Sequence, residues 1–284
     1  MKVAIIGANG QLGMDLMKVF EDVHPIALTH SDIEIGDSNS VSGVLSAIKP
    51  SLVINTAAYH KVDDCEKNPG RSFEINATGA LNLARAAEAL QFDLVHVSTD
   101  YVFDGRKNEP YVETDSTHPL NVYAVSKVAG EHFIASATSR YFIVRSSGLY
   151  GHNTCRAKGR NFIDTMMALA RDNKDIRVVQ DEILTPTYTY HLAQQIRELA
   201  TTGAHGLYHV TNDGACSWFE FAQEIFRNAG IQPSLQPSSV KDSSQAIKRP
   251  SYSVLENAGL QTLGIDHMPH WKDSLAHYFK TKPG

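Results

Sequence analysis

The stretch that decides the fold lies at the start of the chain and reads Val3-Ala4-Ile5-Ile6-Gly7-Ala8-Asn9-Gly10-Gln11-Leu12-Gly13. Its four leading apolar residues predict a buried strand, and a helix is predicted from about Leu12 to Phe20. Glycine permits the tight turn between them, lets the backbone approach a pyrophosphate and lets the helix pack on the sheet. The helix N-terminus then offers free N–H groups and the positive end of its dipole to phosphate. The sequence therefore predicts a dinucleotide site at Gly7, Gly10, Gln11, Leu12 and Gly13.

Short apolar runs alternate with amphipathic stretches through the rest of the first half. Runs of strand length that are separated by helices predict a parallel sheet covered on both faces. We expect an α/β fold, a Rossmann-type doubly wound parallel sheet, with ligands at the edge formed by the strand C-termini. The predicted strands are Leu52–Asn55, Leu94–Ser98 and Phe142–Arg145, and the predicted helices are Asn76–Leu90 and Val122–Ala135.

The pattern of polar and apolar residues changes after residue 150. We predict a dinucleotide-binding Rossmann domain over 1–150 and a smaller C-terminal α/β lobe for the substrate over 151–284, with segments of about 175–200 returning to the main sheet. The polar and basic stretch Gly151–Arg160 predicts a mobile loop. Further helices are predicted at Phe162–Asp172 and Ser217–Ala229, before a Ser/Pro-rich stretch from Gln232 to Ser244.

The composition is that of a soluble globular protein, with 284 residues, 42% hydrophobic and 20% charged. The net charge of -5 gives no basic footprint, so nucleic acid is not an expected partner. The apolar run Val3–Ile6 is too short for a signal sequence or a membrane span, which predicts a cytoplasmic protein without a membrane partner. Three cysteines argue against a disulfide framework. His267 and His270 have a ligand-like spacing, but no acidic or cysteine residue lies nearby to complete a set of ligands, so no metal site is assigned. A requirement for a divalent ion is left open.

The choice between the two nicotinamide cofactors depends on the end of the second strand, near Ile26–His30. An acidic residue there would bind the ribose hydroxyls of NAD, and a basic one would accommodate the 2′-phosphate of NADP. Thr29 is neither, and Asp37 lies further on. Because His30 could assist a phosphate, the sequence favours NADPH slightly and leaves NADH open.

Small residues follow the strand Leu52–Asn55, in the segment Thr56-Ala57-Ala58-Tyr59. Small side chains let a cofactor lie against the backbone, so Ala57, Ala58 and Tyr59 are candidate cofactor contacts; the alternative is a tight turn. Asn76 is a further candidate, and its alternative is a helix N-cap.

A proton-transfer site is predicted from Tyr123-Ala-Val-Ser-Lys127. Positions i and i+4 lie on one face of a helix. An ammonium beside a phenol stabilises the phenolate and lowers a pKa that is otherwise about 10. A hydroxyl at the end of a nearby strand, that of Thr99, could hold a carbonyl oxygen against the phenol. The alternative is a half-exposed helix face.

Taken together, these residues resemble the extended short-chain dehydrogenase/reductase family over nearly the whole chain, and within it the dTDP-4-dehydrorhamnose reductases. The most specific segment is Ser-Thr-Asp-Tyr-Val-Phe-Asp-Gly. The resemblance is carried by Gly10–Gly13, Ala57–Tyr59, Ser98–Gly105, Tyr123–Lys127, Gly130-Glu131, Asn161–Ile163, Thr185–Thr187, Ser217–Phe221 and Arg249-Pro250.

The resemblance implies a catalytic set of Thr99, Tyr123 and Lys127. Thr99 would hydrogen-bond the C4 carbonyl of the substrate, and Tyr123 would donate a proton to the developing alkoxide. Lys127 would bind the nicotinamide ribose and tune Tyr123. The reduced nicotinamide would deliver the hydride.

The same resemblance implies a substrate side. Asp100 and Phe103 would line the sugar pocket, and Asn161 belongs to the substrate set. Arg249 would hold the nucleotide diphosphate, for which a guanidinium is suited, unless it pairs with a nearby carboxylate. Trp218 is more typical of lobe core than of a sugar platform.

Two positions refine the expected reaction. Sugar-nucleotide 4,6-dehydratases resemble this chain but carry glutamate where Tyr101 stands, which favours simple reduction. Gly148 replaces a tryptophan that is usual in the rhamnose branch, which leaves the exact hexose open. We expect NAD(P)H-dependent reduction of the C4 keto group of a nucleotide-linked 6-deoxyhexose. The foremost candidate is the reduction of dTDP-4-dehydro-L-rhamnose to dTDP-L-rhamnose, which would feed polysaccharide synthesis. A homodimer is left open.

Three alternatives remain for the function. One is a reductase for another keto-sugar on this scaffold, and a second is an epimerase. The third is a non-catalytic NADP-binding regulatory subunit, resembling that of methionine adenosyltransferase.

Overall fold

A six-stranded parallel sheet forms the centre of the molecule, which the computed structural model describes over residues 1–153, 159–172, 175–242 and 247–282. The strands are β1 (Val3–Ile6), β2 (Ile26–Leu28), β3 (Leu52–Asn55), β4 (Asp93–Thr99), β5 (Tyr141–Ser146), β6 (Leu149–Tyr150), β7 (Ile176–Val179), β8 (Ile183–Leu184), β9 (Thr187–Tyr188), β10 (Gly206–His209), β11 (Cys216–Ser217) and β12 (Leu235–Ser238).

The order of strands in the main sheet is β10-β5-β4-β3-β1-β2. The chain runs from β1 outward to β2, then crosses to the other side of β1 to form β3, so the order reverses between β1 and β3. Loops that leave two such strands diverge and open a crevice outside their carboxyl ends, where ligands of α/β proteins bind. The predicted doubly wound α/β fold is confirmed.

Helices cover both faces of this sheet, as parallel strands with apolar residues on both sides require. They are α1 (Gln11–Val19), α2 (Ser38–Ile48), α3 (Val62–Lys67), α4 (Pro69–Phe73), α5 (Gly79–Leu90), α6 (Val122–Ala137), α7 (Phe162–Arg171), α8 (Thr189–Thr201), α9 (Trp218–Asn228), α10 (Ala258–Leu263) and α11 (Trp271–Thr281).

The alternation along β1 shows how the two faces are filled. Val3 and Ile5 pack into one core with apolar residues of α1 and α8. Ala4 and Ile6 point the other way and pack with residues of α2 and α5. Because successive side chains of a strand point to opposite faces, a four-residue apolar run supplies both cores.

The helix predicted from Asn76 starts earlier in the structure. A π-helical turn, Glu74–Thr78, joins α4 to α5, so the helical run extends from Pro69 to Leu90. Asn76 therefore lies inside the helical run, and its alternative role as a helix N-cap is wrong. Single π-helical turns occur often at functional sites because they redirect side chains.

A separate apolar core lies in the C-terminal half. It joins α7, α9 and α11 through residues such as Met166, Phe221 and Leu275. β7 pairs with β12 outside the main sheet, whereas β10 pairs with β5 and forms one edge of the main sheet. The apolar face of α8 packs with α1. The division at residue 150 stays a prediction.

Two sequence expectations fall partly outside the described residues. The expected mobile loop Gly151–Arg160 includes 154–158, and the Ser/Pro-rich stretch Gln232–Ser244 includes 243–244. The described parts are Gly151–Asn153, Gly159-Arg160 and 232–242, within which Leu235–Ser238 forms β12.

Candidate active site

A cavity of about 500 Å³ opens at the carboxyl ends of the central strands. It lies where the strand order reverses, between the loops that follow β1 and β3, and it extends past β4 toward the C-terminal half. Its lining includes Gly7, Gly10, Gln11, Leu12, Ala57, Ala58, Thr99, Asp100, Tyr123, Lys127 and Asn161, all of which are candidates from the sequence. The fold therefore brings most of the expected site together.

The glycine-rich loop forms one wall of this cavity. Gly7 has a φ of +78°, and a Cβ there would lie 2.5 Å from Thr56 Oγ1, so only glycine fits between the two loops. Gly13 lies beneath the loop, and a Cβ there would overlap the Gly7 carbonyl oxygen. Gly13 thus packs α1 closely against the loop, and α1 presents its free N–H groups toward the cavity.

Five expected cofactor residues are not among the residues that line the cavity: Gly13, Thr29, Asp37, Tyr59 and Asn76. Thr29 bonds Asp32, with its N–H and hydroxyl donating to Oδ2 at 2.8 and 2.7 Å. Asp37 caps α2 by accepting from the Asn39 N–H at 2.9 Å. Asn76 is buried, and its side chain accepts from the Tyr59 N–H and donates to the Tyr59 carbonyl at 2.9 and 2.8 Å. Asn76 therefore positions the segment that follows β3.

Thr99 ends β4 and turns its side chain toward the cavity. Its hydroxyl accepts from the Tyr101 N–H at 3.2 Å and donates to Asp100 Oδ1 at 3.1 Å. Asp100 Oδ2 accepts from the Ser147 hydroxyl at 2.9 Å. Burial raises the pKa of Asp100 above its usual value, and the hydrogen bonds from neighbouring hydroxyls oppose that rise. The strand end is thus a fixed polar platform.

Tyr123 lies in the first turn of α6, which Asn121 caps by accepting from the Ala124 N–H at 2.9 Å. Burial raises the pKa of the Tyr123 phenol well above its usual value, while a hydrogen bond with Thr99 lowers it. The expected net lowering by Lys127 is therefore not present in this structure. A phenol with a raised pKa stays protonated at neutral pH, which is the form that can donate a proton.

Lys127 is almost completely buried, with 1% of its surface exposed. Its Nζ donates to the Val97 carbonyl at 2.7 Å and lies 2.9 Å from His96 Nε2. Burial lowers the pKa of Lys127 to about 8, and the Glu131 carboxylate opposes that shift. His96 was not a candidate from the sequence. The pattern of the strand Leu94–Ser98 predicts that its side chain is buried but indicates no role for it.

A buried ion pair below the site is a second feature that the sequence analysis missed. The Arg145 guanidinium donates to Glu131 Oε1 at 3.0 Å and to Oε2 at 2.7 Å, and the Ser98 hydroxyl donates to Oε1 at 2.5 Å. Two parallel bonds between a guanidinium and a carboxylate fix both groups in orientation. The pair thereby ties α6, which carries Tyr123 and Lys127, to the strands β4 and β5.

The structure corrects the expectation for Phe103. Its ring is fully buried and stacks on Tyr111 with a centroid separation of 4.1 Å, while the Arg145 guanidinium lies 5.2 Å from its centroid. Apolar neighbours in the same cluster, Val102 and Leu255, complete this packing. Phe103 therefore supports the site from below and does not line it.

The far side of the cavity comes from the C-terminal half. Asn161 caps α7 by accepting from the Asp164 N–H at 2.8 Å, and its Nδ2 donates to the Gly151 carbonyl. Trp218 lines the cavity and packs on Phe162 with a centroid separation of 4.6 Å. Burial raises the pKa of Glu182, another lining residue, and Arg249 opposes that rise.

Arg249 is not among the lining residues, but Pro250, the next residue along the chain, is. The charge of Arg249 also acts on the lining residues Glu182 and Tyr101. The Nε of Arg249 is buried and has no hydrogen-bond partner among the residues that the structure describes. A buried donor without a partner has a desolvation cost that an incoming acceptor would relieve. The buried Nε of Arg249 is thus compatible with the expected contact to a diphosphate.

Gly148 does not leave an open space where a larger ring was expected. Its φ is +55°, and a Cβ there would lie 2.8 Å from Leu184 Cδ1 and 3.0 Å from the Thr185 carbonyl oxygen. Leu184, in β8, lines the cavity at this place. The residues from the C-terminal half therefore occupy the position next to Gly148.

The described residues contain no group of three or more His, Cys, Asp or Glu side chains that could hold a metal ion. His267 and His270, whose spacing suggested ligands, are used otherwise: His267 Nε2 lies 3.3 Å from Glu198 Oε1, and His270 caps α11. No helix among the described residues has the length and apolar character needed to cross a membrane.

A glycine-rich loop at the switch point and a Tyr–Lys pair in the same cavity are shared by the extended short-chain dehydrogenases and reductases, and this chain is one of that class. Within the class, the chain belongs to the family described as the RmlD substrate binding domain, whose family model matches residues 1–282. The resemblance inferred from the sequence is confirmed.

Individual relatives cover nearly the whole chain. It is 37% identical over 283 residues to the spore coat polysaccharide biosynthesis protein SpsK of Bacillus subtilis, covering 99% of this chain and 98% of the relative. It is 35% identical over 275 residues to dTDP-4-dehydrorhamnose reductase of Aggregatibacter actinomycetemcomitans, covering 92% of each. The crystal structure of dTDP-4-dehydrorhamnose reductase from Bacillus anthracis in complex with NADP has a TM-score of 0.94 and 39% identity, covering 99% of each chain.

Proposed function

We propose that this protein reduces the C4 keto group of dTDP-4-dehydrorhamnose with NADPH and releases dTDP-rhamnose. The observation that carries the proposal is the shared cavity, which places Thr99, Tyr123 and Lys127 opposite the glycine-rich loop. Membership of the reductase family supports an NAD(P)H-dependent oxidoreductase. The predicted class of enzyme is therefore confirmed, and the roles of single residues below are proposals.

The residues around the glycine-rich loop fit a dinucleotide. The backbone of Gly10 and Gln11 at the start of α1 would hold the pyrophosphate, because that helix end offers N–H groups and positive charge. Ala57 and Ala58 would lie along the cofactor, since their small side chains leave the backbone accessible. When bound, the reduced nicotinamide supplies the hydride, which no side chain can provide.

Three side chains would act on the substrate carbonyl and its surroundings. The Thr99 hydroxyl would hydrogen-bond the carbonyl oxygen, and the Tyr123 phenol would donate a proton to that oxygen as negative charge develops on it. Lys127 would orient the ribose next to the nicotinamide. Burial, which keeps Tyr123 protonated, also excludes water and strengthens these polar contacts.

The substrate would reach these groups from the side of the C-terminal half. Arg249 would bind the diphosphate of the nucleotide, and its Nε, which has no hydrogen-bond partner within the described part of the chain, supports that assignment. Asn161 and Asp100 would border the sugar, since both line the cavity. Trp218 borders the same space, which supports a role for its ring against the sugar.

Two broader expectations, the cellular location and the oligomeric state, remain proposals. Family membership supports a nucleotide-sugar substrate, and the cytoplasm is the compartment in which we propose the enzyme acts. A homodimer stays a prediction, to be tested by light scattering of the purified protein.

The decisive experiment generates dTDP-4-dehydrorhamnose in a coupled reaction and follows the loss of reduced nicotinamide absorbance, with NADPH and NADH in separate assays. We expect rapid oxidation of NADPH and slower oxidation of NADH. Cofactor binding without oxidation of either would contradict the proposal. Other nucleotide-linked keto-sugars would then be assayed, because Gly148 departs from the rhamnose pattern.

Two controls separate the remaining alternatives. An epimerase keeps its nicotinamide through the cycle, so an oxidised cofactor retained through purification would favour that function. A regulatory subunit would bind the cofactor without turning over any keto-sugar. The complete Thr99, Tyr123 and Lys127 set supports catalysis over this regulatory role.

A further inference from the structure

Three buried polar side chains form a hydrogen-bonded row beneath the cavity. Asn55 ends β3, His96 lies directly opposite it on β4, and Lys127 lies on α6. Each of the three has 1% of its surface exposed. Asn55 Nδ2 lies 3.1 Å from His96 Nδ1, and His96 Nε2 lies 2.9 Å from Lys127 Nζ. The row therefore connects the loop after β3 to the expected catalytic lysine.

A backbone group at one end sets the direction of the row. The Ala57 N–H can only donate, and it lies 3.1 Å from Asn55 Oδ1. This contact orients the Asn55 amide, because the opposite orientation would bring its NH2 group against another donor. Asn55 Nδ2 consequently donates to His96 Nδ1. A neutral imidazole carries one N–H, so the proton of His96 lies on Nε2.

The consequence falls on Lys127. His96 Nε2–H points at Lys127 Nζ, and only a neutral amine has the lone pair that can accept this bond, since an ammonium has three donors and no acceptor. We propose that Asn55 and His96 form a one-way hydrogen-bond row that holds Lys127 as a neutral amine in the cofactor-free protein. His96 is thus a positioning residue that acts through Lys127, and its effect on turnover rests on the function proposed above.

The other groups that face Lys127 leave this balance in place. Tyr123 lies one turn before it on α6, and Glu131 lies one turn after it. Glu131 favours the ammonium form, but Arg145 on β5 pairs with that carboxylate at 2.7 Å. Burial lowers the pKa of Lys127 to about 8, so the neutral amine is the main form above that pH. Burial also holds the pKa of His96 well below its ordinary value, so the ring is neutral there.

The tautomer of His96 can be measured directly. Protein labelled with ¹⁵N in its imidazole rings, free of cofactor and held at a pH clearly above the pKa of Lys127, would be examined by nitrogen NMR, in which protonated and bare ring nitrogens resonate far apart. His96→Gln identifies the signal among the 13 histidines. We expect a protonated Nε2 and a bare Nδ1. A protonated Nδ1, a doubly protonated ring or a mixture of the two tautomers would overturn the proposal.

Asn55→Asp should reverse the row. A carboxylate accepts from both the Ala57 N–H and His96 Nδ1–H, so the ring proton moves to Nδ1 and Nε2 then accepts from the Lys127 ammonium. The two nitrogen signals of His96 should exchange their protonation states. Asn39→Asp, the same chemical change at an exposed position on α2, should leave them unchanged. Persistence of the Nε2–H form in Asn55→Asp would contradict the proposed direction.

Turnover provides a second readout that a packing role would not give. His96→Gln keeps an acceptor for Asn55 and a donor for Lys127, whereas His96→Leu keeps neither. We expect His96→Leu to lower kcat and to move the ionisation in its pH profile, and His96→Gln to restore both. Equal losses in the two variants would show that His96 only fills space. The NMR experiment needs no substrate, so it is decided independently of the coupled assay.

Discussion

Gly148 and Leu184 are packed so closely that a Cβ on Gly148 would lie 2.8 Å from Leu184 Cδ1. The backbone of Gly148 also has a φ of +55°, a left-handed conformation that costs a residue with a side chain about 1–2 kcal/mol. The backbone conformation and the contact with Leu184 thus exclude a large ring at position 148, so a single substitution of Gly148 cannot introduce one.

Gly148→Ala should destabilise the fold by more than the backbone cost alone, because the added Cβ meets Leu184 and the Thr185 carbonyl. The matched control is Gly203→Ala, since Gly203 has a φ of +68° and no atom lies within 4 Å of its added Cβ. Urea unfolding of both variants measures the difference. Equal losses of stability would show that Leu184 moves aside freely.

Tyr123→Phe should lower kcat by a factor of about 10²–10⁴, because it removes the proposed proton donor while it preserves the buried ring. Binding of NADPH, measured by fluorescence titration, should stay close to that of the unchanged protein. Tyr141→Phe, the same change at the start of β5, should keep full activity. Wild-type turnover in Tyr123→Phe would refute the proton-transfer role.

Arg145→Met should destabilise the protein by about 3–5 kcal/mol, because the Glu131 carboxylate would remain buried without its partner. Adding Glu131→Met to the same chain should recover most of that loss, since both buried charges are then gone. Urea midpoints of the single and double variants test this. A double variant no more stable than Arg145→Met would show that the two charges are not coupled.

The protein should lose stability as the pH falls below the ordinary histidine range. Burial lowers the pKa of His209 to about 3 and that of His191 to about 4. Below a pH of about 6.5 these histidines bind protons in the unfolded chain but not in the folded protein. Each ring therefore lowers the free energy of unfolding by about 1.4 kcal/mol for each unit by which the pH falls. The loss continues until the folded rings themselves protonate.

Urea unfolding at several pH values between about 7 and about 4 measures this slope. His209→Gln should reduce the slope by the share of one histidine. His118→Gln, at an exposed position, is the control and should leave the slope unchanged. A slope that is the same in all three proteins would contradict the role of the buried ring.

Local patterns carried much of the fold and of the candidate site. The apolar run Val3–Ile6 with its glycines predicted the strand, the turn and the helix, because each is set by neighbouring residues. Tyr123 and Lys127 were found for the same reason, since their spacing alone places them on one face of α6. Thr99 required only that a strand end at residue 99.

Contacts between distant elements were beyond such patterns. His96 contacts Lys127 because β4 lies beside α6, and Arg145 contacts Glu131 because β5 also lies beside α6. No single segment of the sequence determines which strands and helices become neighbours. Phe103 was wrongly predicted to line the sugar pocket because a sequence motif identifies a residue but does not predict the direction of its side chain. The crowding of Gly148 depends on Leu184, which lies 36 residues further along the chain.

The strand β10 has a consequence for how the chain is made. It completes the main sheet beside β5, yet it follows that strand by about 60 residues. At a synthesis rate of about 5–20 residues per second, the edge of β5 waits roughly 3–12 seconds for its partner to leave the ribosome. During that interval the nascent chain presents an open, apolar strand edge, so we expect the half-made protein, more than the finished one, to need a chaperone.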